Sequence, residues 1–510
     1  MRGAWRVADV RAAEQALMAT RPPGALMQRA AAGLARRCVL LLAQRYGGCY
    51  GARVLLLVGA GDNGGDTLYA GARLARRGAA VAARLLIPDR AHAGGLAALR
   101  AAGGSTVTGL PAPVDLVLDG ITGIGATGGL RPAAAELAAA LPGLRARDGR
   151  RPPVVAVDVP SGVAVDTGDL PGPAVAADVT VTFGCHKPAL VVGPAAACAG
   201  QVELIDIGLA PYLRTHPAVR VPELPDLVAW WPRPTAAAHK YSRGVVGVAT
   251  GSARYPGAAL LSVAGALAGP AGLVRYAGAA VGEVVTAHPS VIGSPRVAAA
   301  GRVQAWACGS GLGQDAPAAA ELRGVLAAPV PVVLDADALN LLVDGSFADA
   351  LRSRNAPLVL TPHDREFARL AGGEPGPDRV ESALRLAART NATVLLKGDR
   401  TVVAGPDGQA WANPTGTPAL ATGGTGDVLT GLLGSLLAGG VEPAAAAVTA
   451  AYLHGLAGRW AAAIGTVTAV DVAAALPEVI GAVVAGSQAG APLGVGLVSG
   501  APARDPAAPS

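Results

Sequence analysis

A glycine-rich segment near the end of the chain carries one acid in a position suited to phosphate chemistry. In NPTGTPALATGGTGDVLTG, residues 413–431, five glycines surround Asp427 where an apolar helical run begins. Bare backbone N–H groups and the positive end of a helix dipole bind phosphate, and a carboxylate beside them can act as a base. A lone loop of this kind can equally be a tight turn in a chain with 70 glycines, so the other motifs must decide.

Three more glycine-rich segments with acids follow predicted strands in the first half. They are GAGDNGGDT at 59–67, DGITGIGATGGLRP at 119–132 and DVPSGVAVDTG at 158–168. The first superficially resembles a dinucleotide fingerprint but carries acids and an amide inside the loop, and its Asn63 and Asp66 could bind a cation or a sugar hydroxyl. Any one of these acids could simply cap a helix or a turn. Three such loops after three strands of one sheet favour a shared site.

The elements that must position these motifs alternate between strand and helix, which predicts a parallel, doubly wound sheet in each half. In the first half we expect helices at 8–46, 65–77, 96–102 and after 132, and strands at 53–58, 81–87, 115–119, 154–158, 179–183 and 202–207. In the second half we expect strands at 245–250, 303–308, 332–335, 358–360 and 393–396, a helix after 257, and final helices near 424, 443 and 470. Ligands of such sheets lie at the carboxyl ends of the strands, where the motifs fall.

A length of 510 residues predicts two large domains. Six prolines and two tryptophans interrupt the alternation at 211–234, and we place the domain boundary there, giving domains 1–222 and 223–485. The remaining 486–510 is rich in Gly, Ala, Pro and Ser and is predicted to be disordered.

Composition argues against several classes of function. The net charge of +6 comes from scattered arginines without a basic run, so we expect no nucleic-acid partner. The five cysteines show neither a CxxC pair nor a histidine at zinc spacing, which argues against a disulfide framework or a structural zinc site. The most apolar window, 256–274, contains two prolines and predicts a buried helix of a soluble protein, not a membrane span. No secretory signal is evident, and we expect a cytoplasmic protein.

Together the three motifs of the first half resemble the N-terminal domain of the NAD(P)H-hydrate repair enzymes, the epimerase family. Its signatures run approximately VGxGNNGGDG, DxxxGxG and DxPSGxxxDTG, and the resemblance spans most of residues 1–222. It implies a Rossmann-like domain that epimerises nicotinamide cofactors hydrated at C6 and uses K⁺. Two departures occur: Asp62 stands where the family usually has Asn, and Thr67 replaces a glycine. The added charge of Asp62 beside a phosphate-bearing ligand would weaken binding or lower the epimerase rate.

Carried over position by position, this resemblance implies three roles. Asp158 is the candidate for proton transfer. Oxygen ligands suit a hard cation, and those for K⁺ would come from Asn63, Asp119 and Ser161. The hydrate would be lined by Asp62, Asn63, Gly64, Gly65, Asp66, Gly123, Ile124, Gly125, Ala126, Thr127, Gly128, Gly129 and Asp158.

Four motifs of the second half, in order, precede the glycine-rich segment around Asp427. They are HKYSRGVVGVATGSARYPGAALLSVAGAL at 239–267, GSGLG at 309–313, LTPHDREFARL at 360–370 and LLKGDRTVV at 395–403. With TGGTGD at 422–427 they closely resemble the dehydratase domain of the same repair system, a ribokinase-like α/β domain, over about residues 225–485. The resemblance implies that a nucleotide phosphorylates the 6-hydroxyl of the S hydrate and that loss of phosphate restores NAD(P)H. ADP serves bacterial members of that family and ATP serves animal ones.

The same resemblance implies that Asp427 is the base on this hydroxyl, with the N–H groups of the glycine loop stabilising the transferred phosphoryl group. Mg²⁺ is expected with the nucleotide, although no motif identifies its ligands. The hydrate would contact Ala258, Gly311, His363 and Asp427. The nucleotide would contact Lys397, Gly398, Asp399, Arg400, Thr401, Gly423, Gly424, Thr425 and Gly426.

Simpler interpretations stay open for single residues. His363 could cap a turn after Pro362, and Lys397 could be an ordinary solvated lysine. Asp335 and Asp337 could simply cap a helix starting near residue 338.

The leading hypothesis is therefore a bifunctional repair enzyme acting on hydrated NADH or NADPH with ADP, and we expect a homo-oligomer. The runner-up is a ribokinase-like small-molecule kinase with a Rossmann-like accessory domain. A nucleotide-sensing module without turnover is a third possibility, which the intact Asp427 loop disfavours. The DVPSGVAVDTG signature favours repair, because a kinase needs no such domain.

Overall fold

The computed structural model describes residues 1–486, which form two compact α/β units. The first unit is Arg2–Val219, and the second contains Met1 together with the chain from Arg220 onward. Beyond Gly486, the tail that the sequence predicts to be disordered lies outside the described residues.

The first unit is built on a parallel sheet. Its strands are β1 (Arg2–Ala4), β2 (Arg53–Val58), β3 (Ala80–Leu85), β4 (Ser105–Val107), β5 (Leu116–Gly120), β6 (Val154–Val157), β7 (Val179–Phe183) and β8 (Gln201–Ile205). Seven of them form one sheet in the order β4-β3-β2-β5-β6-β7-β8, and every neighbouring pair is parallel. The strand order reverses between β2 and β5, so the chain leaves these two neighbours in opposite directions and opens a crevice at their carboxyl ends.

Helices cover this sheet, and two of them differ from the prediction. They are α1 (Val7–Met18), α2 (Ala25–Tyr46), α3 (Asp62–Ala75), α4 (Ala93–Ala101), α5 (Pro132–Ala140) and α6 (Ala195–Cys198). The single helical region expected at 8–46 is broken, because Pro22 and Pro23 cannot donate backbone hydrogen bonds and Gly24 has φ +78°. α3 begins three residues before the predicted start at 65. The acids and amide at 62–66 therefore lie in its first turns and not in a loop.

The second unit has a larger sheet. Its strands are β9 (Val219–Val221), which begins at the boundary, β10 (Val245–Ala249), β11 (Leu273–Ala277), β12 (Ile292–Ser294), β13 (Ala305–Cys308), β14 (Val332–Leu334), β15 (Leu358–Leu360), β16 (Thr393–Leu396), β17 (Val402–Ala404) and β18 (Ala410–Ala412). They lie in the order β9-β18-β17-β16-β15-β14-β13-β10-β11-β12. β17 is antiparallel to both of its neighbours, and the other pairs are parallel. The antiparallel hairpin β17–β18 was not predicted.

The helices of this unit are α7 (Leu224–Trp230), α8 (Pro256–Ala268), α9 (Val281–Ala287), α10 (Ala316–Ala327), α11 (Asp337–Leu341), α12 (Ala348–Arg352), α13 (Asp364–Ala371), α14 (Arg379–Thr390), α15 (Thr425–Ala438), α16 (Pro443–Ile464) and α17 (Ala469–Gly486). Among residues 1–486, no single helix is long and apolar enough to cross a membrane, and only the bent pair α16 and α17 together passes by length and composition.

The glycines of α8 and α15 position the start of α15. A methyl group on Gly265 of α8 would lie 2.1 Å from the carbonyl oxygen of Val428, and one on Gly431 of α15 would lie 1.8 Å from that of Ser262. Glycine at both positions lets the two backbones touch. The contact fixes α15 against the sheet with its N-terminus at the strand ends.

We predict that a fragment beginning at residue 218 unfolds at higher urea than one beginning at residue 223. The longer fragment keeps β9, in which Arg220 pairs with Trp411 of β18 and donates a hydrogen bond to Gln409 at 2.6 Å. The lost bonds are worth about 1 kcal/mol each. Arg220→Ala in the longer fragment is the control and should lose only the side-chain bond. Equal urea midpoints for the two fragments would show that β9 contributes nothing to the second unit.

Candidate active sites

The first site lies in the crevice between the ends of β2 and β5. The backbone after β2 passes so close to the backbone after β5 that a methyl group on Gly59 would lie 1.8 Å from the carbonyl oxygen of Ile121. Gly61, at φ +89°, then turns the chain into α3. As a result, the start of α3 faces the loop after β5, and a methyl group on Gly123 would lie 3.0 Å from the Asn63 side chain.

Oxygen atoms from three segments meet at the bottom of this crevice. Asn63 donates from Nδ2 to the carbonyl of Thr122 at 3.0 Å, which leaves its Oδ1 available. Ser161 donates from Oγ to Asp119 Oδ1 at 2.6 Å and from its backbone N–H to Oδ2 at 2.9 Å. Its Oγ also accepts from the N–H of Thr122 at 2.9 Å. The three residues predicted as cation ligands are therefore joined in one cluster.

The charge of Asp119 is not balanced by a basic side chain. Asp119 is fully buried, and burial raises its pKa to about 6, although the bonds from Ser161 act in the opposite direction. Within residues 1–486 no cationic side chain forms an ion pair with it. A carboxylate among neutral oxygens is a donor set that could hold a hard monovalent cation.

Asp158 lies next to this cluster, immediately after β6. Its φ of +67° is unusual for a residue with a side chain. Its Oδ1 accepts hydrogen bonds from the hydroxyl of Thr182 at 3.0 Å and from the N–H of Phe183 at 3.1 Å, both at the end of β7. The same oxygen accepts a bond of 2.5 Å from the ammonium of Lys187. This buried ion pair was not predicted.

Two further carboxyl groups interact electrostatically with Asp158, and their pKa values are raised, which favours their neutral forms. Asp66 in α3 is 9% exposed, and its Oδ1 has no hydrogen-bond partner within the described part of the chain. Burial, followed by the negative charge of Asp158, raises its pKa well above the usual value. Burial and the charge of Asp158 likewise raise the pKa of Glu14 in α1. The crevice thus contains carboxyl groups in different electrostatic environments.

In the second unit, Asp335 is the centre of a buried network at the end of β14. Its Oδ1 accepts from Lys397 Nζ at 2.7 Å and from the Thr361 hydroxyl at 2.8 Å. Its Oδ2 accepts from the hydroxyls of Thr430 at 3.0 Å and Ser310 at 3.1 Å. Burial acts against the charged form, but the Lys397 charge and these bonds hold the pKa of Asp335 below its usual value.

This network corrects two of the simpler interpretations. Asp335 does not cap a helix, since α11 begins at Asp337 after Ala336 and all the bonds of the Asp335 carboxylate go elsewhere. Asp337 accepts from the backbone N–H of Gly313 at 3.0 Å, so it fastens the loop after β13. Lys397 is not a solvated lysine: it bonds Asp335, and its Nζ lies 3.7 Å from Glu366.

Asp427 stands beside this network in the first turn of α15. Burial and the negative charge of Asp335 raise its pKa to about 7, partly opposed by the Ser310 hydroxyl and the charge of Lys397. Gly424, at φ +89°, precedes the helix and lets the loop turn toward its N-terminus. A carboxyl group with a pKa near neutrality, at the positive end of a helix, can act as a base beside a phosphate.

A cavity of about 1120 Å³ opens next to Asp427. Its lining includes much of both predicted nucleotide segments, together with His363: Lys397, Gly398, Asp399, Thr401, Gly423, Thr425 and Gly426. Arg400 instead donates to the carbonyl of Pro414 at 2.7 Å, and it does not line the described cavity. Buried His454 contacts the first residue of α15, with its Nε2 2.9 Å from the carbonyl oxygen of Thr425.

Besides Asp427 in α15, the predicted hydrate contacts of this unit are Ala258 in the first turn of α8, Gly311 in the loop after β13 and His363 just before α13. A methyl group on Gly311 would lie 2.8 Å from Cβ of Ala258, so these two positions are adjacent. Ser310, the neighbour of Gly311, reaches Asp335 and Asp427. His363 caps α13, with Nδ1 accepting from the N–H of Arg365 at 3.1 Å, as the simpler interpretation expected. Its ring nevertheless lines the cavity.

Comparisons with known proteins agree with this arrangement. The family described as YjeF-related protein N-terminus matches residues 23–189, and the family described as NAD(P)H-hydrate dehydratase matches residues 246–479. The bifunctional NAD(P)H-hydrate repair enzyme Nnr of Mycobacterium tuberculosis is 50% identical over 413 residues, which cover 81% of this chain and 84% of the relative. The corresponding enzyme of Mycobacterium leprae is 48% identical and covers 91% of this chain and 95% of the relative. This chain belongs to the family of bifunctional NAD(P)H-hydrate repair enzymes.

The second half of this chain is also similar to a solved structure of another protein. The ADP/ATP-dependent NAD(P)H-hydrate dehydratase from Bacillus subtilis, co-crystallised with ATP and Mg²⁺, is 33% identical, covers 52% of this chain and 99% of its own, and has a TM-score of 0.47. The two family models and the two relatives confirm the predicted family, and the sheets and helices of the two units confirm the predicted α/β fold class. The roles predicted for single residues stay predictions.

Sequence reasoning missed several residues of the two sites. Lys187, Glu14 and Arg11 were not predicted. Arg11 lies close to the loop after β5, since a methyl group on Gly125 would lie 2.9 Å from its guanidinium. One signal for Lys187 was available: of 42 basic residues only three are lysines, and Lys187 and Lys397 are two of them. Both of these lysines are paired with an aspartate.

We predict that Asp335→Asn destabilises the second unit, because Lys397 loses its charged partner at 2.7 Å and Glu366, at 3.7 Å, replaces it only in part. Removing one member of a fully buried ion pair costs about 3–5 kcal/mol of unfolding free energy, and the loss should be smaller here because the Lys397 side chain is 21% exposed. The double variant Asp335→Asn with Lys397→Met should recover part of this loss. As a control, Asp364→Asn removes a half-exposed partner of Arg379 and should cost less than about 1 kcal/mol. Urea unfolding measures all of these variants, and equal losses for the first and last would contradict the role of Asp335.

Proposed function

We propose that the first unit interconverts the R and S forms of hydrated NADH and NADPH, and that the second unit converts the S form to NAD(P)H at the expense of ADP. The observation that carries this proposal is the position of Asp427, a carboxyl group with a pKa of about 7 beside a cavity lined by both predicted nucleotide segments. A base of this pKa is suited to work at neutral pH. Membership of the repair family favours this function over the alternative of a small-molecule kinase.

In the second unit, Asp427 would take the proton of the 6-hydroxyl as its oxygen attacks the terminal phosphoryl group of the nucleotide. The N–H groups of the loop before α15 would stabilise the charge that develops on that group. Loss of phosphate from C6 and of a proton from C5 then restores the dihydronicotinamide ring. Lys397 would face the nucleotide while Asp335 holds its ammonium in place. ATP in place of ADP is the alternative co-substrate.

Magnesium would accompany the nucleotide. Residues 1–486 contain no group of three or more His, Cys, Asp or Glu side chains that could hold a metal ion. Mg²⁺ commonly uses substrate phosphates and water for most of its ligands, so the ion would bind here mainly through the nucleotide. Its role there would be to neutralise phosphate charge.

In the first unit, epimerisation at C6 requires the hydroxyl to lose a proton as the bond from C6 to the ring nitrogen opens. Asp158 would take that proton, and the ring nitrogen must gain one. Asp66 is suited to supply it, because its raised pKa favours the protonated carboxyl. Closure on the other face of the resulting aldehyde reverses both transfers and yields the other epimer.

Potassium would bind at the cluster of Asn63, Asp119 and Ser161. What supports it is the buried Asp119 carboxylate, which has neutral oxygens but no basic side chain around it in the described part of the chain. The ion would supply the positive charge that balances Asp119. The expected homo-oligomer, the cytoplasmic location and the lack of a nucleic-acid or membrane partner stay predictions.

We predict that Asp427→Asn abolishes dehydration and leaves epimerisation unchanged, because the amide preserves shape but cannot accept a proton. Loss of a general base costs about a hundredfold to ten-thousandfold in rate. With the wild-type chain, kcat/KM for pure S hydrate should fall as the pH drops through about 7, where Asp427 becomes protonated. Recovery of reduced-nicotinamide absorbance from R and S hydrates with ADP measures both reactions. Asp349→Asn, a change at a nearly fully exposed side chain, is the control. Near-parental dehydration by Asp427→Asn would exclude it as the base.

We predict that Asp119→Ala removes the stabilisation of the first unit by K⁺. An ion at a hundred times its dissociation constant stabilises the folded state by about 2.7 kcal/mol. Thermal melts in K⁺ and in tetramethylammonium measure this difference, and conversion of R to S hydrate should slow while dehydration of pure S hydrate continues. Asp115→Ala removes another buried aspartate, which binds the N–H groups of Arg53 and Arg147, and should keep the response to K⁺. An identical K⁺ shift in wild type and Asp119→Ala would exclude Asp119 as a ligand.

A further inference from the structure

Lys187 is an almost completely buried cation of the first site. It is 1% exposed, and its ammonium donates to Asp158 Oδ1 at 2.5 Å, to the carbonyl of Phe183 at 2.9 Å and to the Thr182 hydroxyl at 3.0 Å. An ammonium has three N–H donors, and here three acceptors are present. Lys187 therefore has no donor left for a ligand, and any effect on chemistry must pass through Asp158.

The bonds to Asp158 are all on one oxygen. Oδ1 accepts from Lys187, from the Thr182 hydroxyl and from the N–H of Phe183. Within residues 1–486 no hydrogen bond to Oδ2 is formed, and 11% of the Asp158 side chain is exposed. Oδ1 of Asp158 is thus held by three hydrogen bonds, whereas Oδ2 accepts none from the described residues.

The backbone of Asp158 depends on these bonds. A residue with a side chain is less stable in the left-handed region than in an extended conformation. Here φ is +67°, and this conformation turns the side chain from β6 toward the end of β7. The turn that carries Lys187 is itself held by the N-terminal segment, because the N–H of Trp5 donates to the carbonyl of His186 at 3.0 Å.

The surroundings of Asp158 are acidic. Asp62, Asp66 and Glu14 all interact with this region, and Asp158 is among the causes that raise the pKa of Asp66 and of Glu14. Lys187 acts in the opposite direction on both groups. An opposite charge in contact with a buried carboxylate favours its ionised form.

We propose that Lys187 is a positioning residue of the epimerase: it holds Oδ1 of Asp158 so that Oδ2 is the atom that takes the proton from the 6-hydroxyl of the hydrate and returns it. This inference rests on the proposed function of the first unit. The chemistry needs a compact ammonium, because the wider guanidinium fork of arginine would not fit three acceptors around one point.

The test compares Lys187→Met with the wild-type full-length chain for conversion of R to S hydrate. We expect kcat to fall by about tenfold to a hundredfold with KM nearly unchanged, because Lys187 does not touch the substrate. Lys187→Arg should not rescue the rate. A purely structural lysine would leave kcat, per folded enzyme, at the parental value.

Two controls separate the possible failures. Arg45→Met removes a distant cation of the same unit, which pairs with Asp148 at 2.8 Å, and should leave kcat and KM unchanged. If Lys187→Met does not fold, Thr182→Val removes a neutral donor from the same oxygen and should lower kcat by a smaller factor, again with KM nearly unchanged. A folded Lys187→Met, or in its place a folded Thr182→Val, with the parental kcat would overturn the role of Lys187. A wild-type chain that dehydrates S hydrate but never interconverts the two forms would instead overturn the epimerase function, and this inference with it.

Discussion

An ion pair between a buried aspartate and a lysine lies at the centre of the site in each unit. Lys187 binds Asp158 at 2.5 Å and Lys397 binds Asp335 at 2.7 Å, and in both cases the aspartate follows a parallel strand. Such pairs add little net stability, because desolvation of the two charges offsets much of their attraction. Their effect is geometric: each pair fixes one carboxylate at the strand ends, and the neighbouring hydroxyls, loops and carboxyl groups are arranged around it.

The parallel sheet explains why the pairs form where they do. Successive parallel strands all end at the same edge, so residues far apart in sequence arrive side by side. The strand order reverses beside β2 in the first unit and beside β10 in the second, and the open crevice at each reversal admits the ligand. Gly59 and Gly265 let backbones approach at these points more closely than any side chain would allow. The site geometry is thus a consequence of topology and of a few glycines.

The limits of prediction from sequence follow from the same geometry. Segments with a local signal were predicted correctly. The motif that begins at Asp158 follows a strand, and the motif that ends at Asp427 overlaps the start of a helix. The start of α3 was predicted three residues late, because glycines and acids at 62–66 are typical of a loop unless tertiary contacts hold them in a helix. The two lysine pairs join residues 29 and 62 positions apart. Their partners are not recognisable in one sequence without the register of the sheet.

Hydrogen-bond capacity distinguishes the two paired aspartates. Both oxygens of Asp335 are occupied, by Lys397 and by three hydroxyl groups, so its carboxylate has no face for a substrate. Its influence reaches the reaction through its charge, which raises the pKa of Asp427. Within residues 1–486 only Oδ1 of Asp158 accepts hydrogen bonds. With the roles proposed for Asp427 and Asp158, the same kind of ion pair would support a neighbouring base in the second unit and would orient the base itself in the first.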